Sequence, residues 1–260
     1  MPATLLDVFG VLPGLMLVIA RIGGLLVTAP LFSTNVIPRV VKIYLVVTLS
    51  LAIFPVISSG IPSTLTLDLA LFGLVGELAF GIALGLAVNL TLTAAQVAGV
   101  TIARQSGLAM GQLVDPMSGE QTTVLGQVYY TLAVLVFLAV GGERELVRVL
   151  LESFEAVPLL GFWPDAGLCE FLLDTLAGAY MLAVRLAAPA VIALLLTSLT
   201  LGFLSRTVPQ LNVLSIGFSL KVIVAVLVLL ATLPAAGSIL EATFSVVFES
   251  LREGLGILGP

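Results

Sequence analysis

GELAFGIALGLAVNLTLTAAQVAGVTIARQ, residues 76–105, decides what kind of molecule this is. A carboxylate, Glu77, stands at its start, and no further charge follows until Arg104. It belongs to an apolar run, Leu69–Ala103, that would be about 50 Å long as one straight helix, against a bilayer hydrocarbon core of about 30 Å. A segment with so little to offer water needs lipid or other apolar protein around it, and in lipid only a helix or a closed barrel satisfies its own backbone. Such a run must tilt, bend, break or leave the membrane. Gly81-Ile-Ala-Leu-Gly85 within it is a GxxxG spacing that lets a second backbone approach closely, and Gly73, Gly76 and Gly99 add further points of close packing.

The rest of the chain has the same character. Of 260 residues, 60% are hydrophobic and 10% charged, with a mean hydropathy of +1.24. A soluble domain carries roughly 25% charge. Six apolar runs approach spanning length: Val11–Pro30, Ile43–Ile57, Leu69–Ala103, Thr123–Val140, Phe171–Leu204 and Val213–Leu233. The fold expected is an all-α integral membrane protein of about six long apolar helices plus two amphipathic segments, forming one membrane unit over residues 1–260. The fifth run is as overlong as the third, and Pro189 invites a kink in it. The opening residues lack a basic leader and Arg21 interrupts the first run, so that run is expected to stay in the mature chain. Arg39, Lys42, Arg104, Arg206 and Lys221 fall on one side of a six-pass arrangement and Arg144, Arg148 and Arg252 on the other, which favours termini outside.

The two amphipathic segments are GERELVRVLLESFEAVP and SILEATFSVVFESLREGL. In the first, Leu146, Leu150, Phe154 and Val157 share one helical face, and Arg144, Glu145, Arg148, Glu152 and Glu155 take the other. The second opens with a capping box, Ser238 to Glu241, and aligns Leu240, Phe244, Val247, Phe248, Leu251 and Leu255. Their polar faces are mostly acidic, where membrane-surface helices display Lys and Arg, so docking to protein or plain solvation is expected.

Arg21, Glu77, Arg185 and Lys221 lie within or at the ends of apolar runs, where each charge costs about 2.5–3.5 kcal/mol at mid-helix and must pair or face water. Glu77 is expected to pair with one of these three bases or with a neighbouring subunit. An ion or proton pathway is the functional alternative, in the form of a small secondary transporter whose midplane site joins Glu77 to Arg185 or Lys221.

Other chemistry is absent from the sequence. Cys169 is the lone cysteine and there is no histidine, so a His/Cys metal site and a histidine base are excluded. Phosphate-loop and metalloprotease motifs are missing too. The net charge of −5 and the lack of a basic run exclude nucleic acid as a partner. No cofactor is expected. Asp115 and Glu120 form a generic acidic pair in the Gly- and Met-rich stretch GLAMGQLVDPMSGEQ (107–121), which is longer and more apolar than a connector needs.

Four stretches together resemble the FliR/SctT family of flagellar and virulence-secretion membrane proteins. They are APLFSTNVIPRVVK (29–42), the segment from Gly76 to Asp115-Pro116, FLAVGGERELVRVLLESFEAVPLLG (137–161) and LGFLSRTVPQLNVLSIGFSLK (201–221). The last is the most specific, with Arg206, Pro209, Gln210, Leu211, Asn212, Gly217 and Phe218 in the family's order. There are departures: Ser106 stands where members often have Met, Val100 where they have an acid, and Glu143 where they have His.

The resemblance implies a non-enzymatic structural and gating subunit of the type III protein export channel, in the bacterial inner membrane at the flagellar basal body. It implies bent hairpins stacked in a helical hetero-oligomer with FliP-like and FliQ-like subunits, alongside FlhB- and FlhA-like components, unfolded export substrates and the lipid bilayer. Residues 1–205 would be a FliP-like portion and 206–260 a FliQ-like hairpin. Segment 107–121 would be a channel plug, with Gly107, Leu108, Met110, Gly111, Leu113, Asp115 and Pro116 as its candidate residues. Arg21, Glu77, Arg185, Arg206 and Lys221 would serve assembly or charge burial, and Gly81, Gly85, Pro209, Gln210, Asn212 and Gly217 helix packing.

Overall fold

The computed structural model describes residues 3–30, 37–57, 67–109, 123–162, 166–207 and 213–258. Among them are seven α-helices and no strand: α1 (Ala3–Thr28), α2 (Arg39–Ile57), α3 (Leu67–Ser106), α4 (Val124–Ala139), α5 (Gly142–Ala156), α6 (Ala166–Thr207) and α7 (Val213–Leu258). Four of them, α2, α3, α6 and α7, are long and apolar enough to cross a membrane, and α4 with α5 adds a fifth if counted as one broken span. The described apolar part of α1, Leu12–Thr28, is shorter. The expected six spanning helices are therefore four or five among the described residues.

α3, α6 and α7 hold 40, 42 and 46 residues. At about 1.5 Å per residue each is roughly twice as long as the hydrocarbon core is thick. Pro189 lies inside α6 and Pro234 inside α7 without ending either helix. The second amphipathic segment is correspondingly not a separate helix but the C-terminal part of α7. Its expected capping box is not formed: the Ser238 hydroxyl donates to the carbonyl of Ala235, 2.9 Å away, as a mid-helix serine does. The physical reason is that an apolar surrounding offers no water to a broken helix end, so continuing the backbone ladder past Pro234 costs less than stopping.

The chain forms two compact units, the first comprising Met1–Leu90, Gly141–Leu176 and Ser245–Pro260 and the second Thr91–Val140 and Ala177–Phe244. In the first, α1 packs against α2, whose outer side leaves Val40, Tyr44, Leu51 and Val56 exposed. Leu17 and Ile22 of α1, Phe80 and Leu84 of α3, Leu150 and Phe154 of α5, and Phe248 and Leu251 of α7 are buried. α5 has the expected two faces, with Leu146, Leu150, Phe154 and Val157 buried and Arg144, Arg148 and Glu155 exposed. Gly141, at φ 75°, precedes it in the left-handed region that glycine adopts without steric cost. Arg252 of α7 holds α5 from the solvent side, bonding Glu145 and, at 3.1 Å, Glu152.

In the second unit the buried side chains include Leu92 and Ile102 of α3, Tyr129 and Phe137 of α4, Leu194 of α6 and Phe244 of α7. Phe137 and Phe244 meet edge to face at 5.4 Å. α3 and α4 touch through glycine, since a Cβ on Gly99 would lie 2.6 Å from the Leu125 carbonyl carbon. Thr123 caps α4, accepting the Gly126 amide at 3.0 Å.

Phe244→Ala should cost about 3–5 kcal/mol, because an aromatic side chain with no exposed surface leaves a cavity. Arg252→Ala should cost less than about 1 kcal/mol, because its ion pairs lie in water. Urea unfolding of the detergent-solubilised protein, followed by circular dichroism, measures both.

Candidate functional site

The polar centre of the first unit is Arg21 with Glu77, whose side chains are 0% and 1% exposed. Arg21 Nε donates to Glu77 Oε2 at 2.6 Å. Its Nη1 donates to the carbonyls of Ser153 and Val157, at 2.9 and 3.0 Å, and lies 3.4 Å from the Ser153 hydroxyl. These carbonyls end α5, so the guanidinium supplies both hydrogen-bond donors and a positive charge to a helix C-terminus. Its Cζ lies over the rings of Phe80, 4.7 Å from the centroid, and Phe154, at 4.5 Å. Phe162 packs edge-on to Phe80 at 4.9 Å.

Glu77 uses its other oxygen, Oε1, to accept the Leu160 amide at 3.0 Å. Leu160 has φ 68°, the one non-glycine residue with positive φ among those described. A non-glycine residue held there costs on the order of 1–3 kcal/mol and persists only when its surroundings fix it. Here the carboxylate fixes its amide, and Gly73 makes room for its side chain, because a Cβ on Gly73 would collide with Leu160 Cδ2. Arg21 thus anchors the end of α5, and Glu77 anchors the turn after it.

The two partners meet because α1 and α3 cross almost backbone to backbone. A Cβ on Gly81 would strike the Arg21 carbonyl, one on Gly85 would strike Thr28 and the Leu25 carbonyl, and one on Gly24 would come within 2.5 Å of the Leu78 carbonyl. Thr28 Oγ1 lies 3.2 Å from the carbonyl of Ile82 across this seam. Gly81 and Gly85, one helical turn apart on α3, and Gly24 facing them on α1 therefore set the approach that puts Arg21 within reach of Glu77. Phe154 was expected on the apolar face of α5, but Gly24, Ser153, Leu160, Phe80 and Phe162 were not singled out by sequence. The Gly23-Gly24 pair in α1 was the available signal, as the complement of the glycines in α3.

Arg185, Arg206 and Lys221 belong to the second unit, Arg185 and Arg206 exposed and Lys221 half-buried. None of them pairs with a carboxylate among the described residues. Of the bases that could meet Glu77, the structure selects Arg21. Gly217 is buried, with Leu201 Cδ1 3.3 Å from where its Cβ would stand. Gly107, at φ 87°, closes α3, and Leu108 is exposed. Met110, Gly111, Leu113, Asp115, Pro116, Glu120, Pro209, Gln210 and Asn212 lie outside the described residues.

Long apolar helices, glycine crossings and a desolvated ion pair used as a structural clamp define a helical integral membrane protein. The chain belongs to the bacterial export proteins, family 1, which it matches over residues 12–247. It is 31% identical over 260 residues to the flagellar biosynthetic protein FliR of Bacillus subtilis (strain 168), covering 98% of each chain. Identity to the protein of the same name in Escherichia coli (strain K12) is 32% over 235 residues, 90% of this chain and 89% of the relative. The secretion system apparatus protein SsaT of Salmonella typhimurium is 28% identical over 173 residues, 65% of this chain and 66% of that one.

Arg21→Met should destabilise the protein by about 3–5 kcal/mol, because it leaves Glu77 buried and unpaired. The double variant Arg21→Met/Glu77→Leu should recover most of that loss. Equilibrium unfolding of both single variants and the double in detergent gives the coupling; strict additivity would contradict the clamp.

Proposed function

We propose that this chain is a structural and gating subunit of a type III protein export channel of the flagellar kind in the bacterial inner membrane, with no catalytic step of its own. The observation that carries this reading is identity sustained over 98% of both chains to a flagellar biosynthetic protein. The likeness to a secretion system apparatus protein supports the same type of channel. Its assembly partners are FliP-like and FliQ-like subunits, with FlhB- and FlhA-like components alongside and unfolded polypeptides as cargo. Residues 1–205 act as the FliP-like portion and 206–260 as the FliQ-like hairpin.

Segment 107–121 is the proposed plug. Glycine at 107 and 111 permits close packing and rearrangement, while Leu108, Met110 and Leu113 supply deformable apolar fill. Asp115-Pro116 is a dipeptide that favours a turn. A dry apolar constriction of this kind blocks ions until a passing polypeptide displaces it. The exposed apolar side chains of α2, α6 and α7, such as Tyr44, Ile192 and Leu227, support a role among membrane neighbours.

A tagged copy isolated from its own bacterium should bring down the neighbouring membrane subunits; recovery as a solitary, functional monomer contradicts the subunit reading. In that isolated complex, deletion of residues 108–114 should raise passive ion conductance in planar bilayers. Unchanged conductance with the complex intact removes the plug assignment.

A further inference from the structure

The second unit is an uncharged band with a cationic rim. Between Arg185 and Arg206, residues 186–205 of α6 carry no charge, and between Lys221 and Glu241 neither do residues 222–240 of α7. At about 1.5 Å per residue these stretches measure about 30 and 28 Å, the thickness of a bilayer hydrocarbon core. Within this unit Gly107 lies against the ring of Phe218, and Leu201 lies against Gly217. The C-terminal ends of α3 and α6 and the start of α7 therefore meet at one end of the band.

That end carries three bases. Arg104 and Arg206 sit in the last turns of α3 and α6, both exposed. Lys221 lies about two turns into α7 and is half-buried. None of the three pairs with a carboxylate among the described residues. Helix dipoles favour the two arginines at their C-termini, but the same effect gives Lys221 no support near an N-terminus. An external anion would serve all three. Beside them Phe203, Leu204, Ile216, Phe218 and Leu220 are exposed. A free phosphate would leave those side chains uncovered, whereas a phospholipid places its phosphate on the bases and its upper chain segments on the apolar neighbours.

The geometry points to Arg104, Arg206 and Lys221 as a binding rim for anionic phospholipid headgroups. Each base near such a surface contributes on its own, so the rim both sets the depth of this unit in the bilayer and makes its retention depend on lipid charge. By the positive-inside rule this end faces the cytoplasm.

Native mass spectrometry of the full-length chain, titrated with phosphatidylglycerol and with phosphatidylcholine of the same acyl chains, tests the assignment. Phosphatidylglycerol should be retained in preference, and the triple variant Arg104→Gln/Arg206→Gln/Lys221→Gln should lower its apparent affinity by about fivefold for each charge removed. Arg144→Gln/Arg148→Gln, which removes two cations of the first unit, should leave the preference unchanged. If the triple variant does not fold, Arg206→Gln alone carries the test through its own fivefold loss. Equal retention of the two lipids, the same loss in the Arg144/Arg148 control, or displacement of phosphatidylglycerol by millimolar inorganic phosphate would overturn the proposal.

Discussion

A guanidinium and a carboxylate withdrawn from water must find partners or be neutralised, and the first unit is arranged around meeting that demand for Arg21 and Glu77. Removing two charges from water costs several kcal/mol per ion, which their attraction offsets only when the remaining donors and acceptors are also bonded. Here the remaining partners are two carbonyls at the end of α5 and the amide of Leu160, while Nη2 of Arg21 is buried without a hydrogen-bond partner and the guanidinium packs on the rings of Phe80 and Phe154. One charge pair therefore binds four stretches of chain: α1, α3, the end of α5 and the turn after it. The turn includes a leucine in a left-handed conformation that local sequence alone would not stabilise.

Glycine makes the pair possible and helix continuity makes it precise in position. Where α1 crosses α3, Gly24, Gly81 and Gly85 leave no side chain between the backbones. A single Cβ there would push Arg21 away from Glu77. The same device recurs in the second unit, where Gly99 meets Gly126. Between such crossings the long helices run on, through Pro189 and Pro234, because an apolar environment penalises unsatisfied backbone groups more than it penalises a missing proline hydrogen bond.

Much of this was legible in the residues, and the limits have physical causes. The apolar runs marked the helices because composition and length decide them locally, and the four-residue spacing of Leu146, Leu150 and Phe154 marked the buried face of α5. The end of α7 was misread: Pro234, Gly237 and Ser238 form a strong stop-and-start signal in water, and that signal loses its force where an apolar surrounding offers no water to a broken helix end. Which base meets Glu77 was not readable. Arg21, Arg185 and Lys221 look alike in sequence, and the choice depends on a crossing between residues 56 positions apart. The spacing of Gly81 and Gly85 is visible, but not the stretch of α1 laid against them. The contribution of Leu160 was hidden because only the turn's geometry turns its amide toward a carboxylate.

A clamp of this kind fixes four stretches of the first unit to one another. Its most direct test is hydrogen exchange at the Leu160 amide, resolved at single residues in detergent-solubilised protein. The clamp predicts slow exchange there in the native chain and fast exchange in Glu77→Ala, with the amides of the α4 core unaffected. An amide that exchanges freely in the native protein, or one equally protected without the carboxylate, would contradict it.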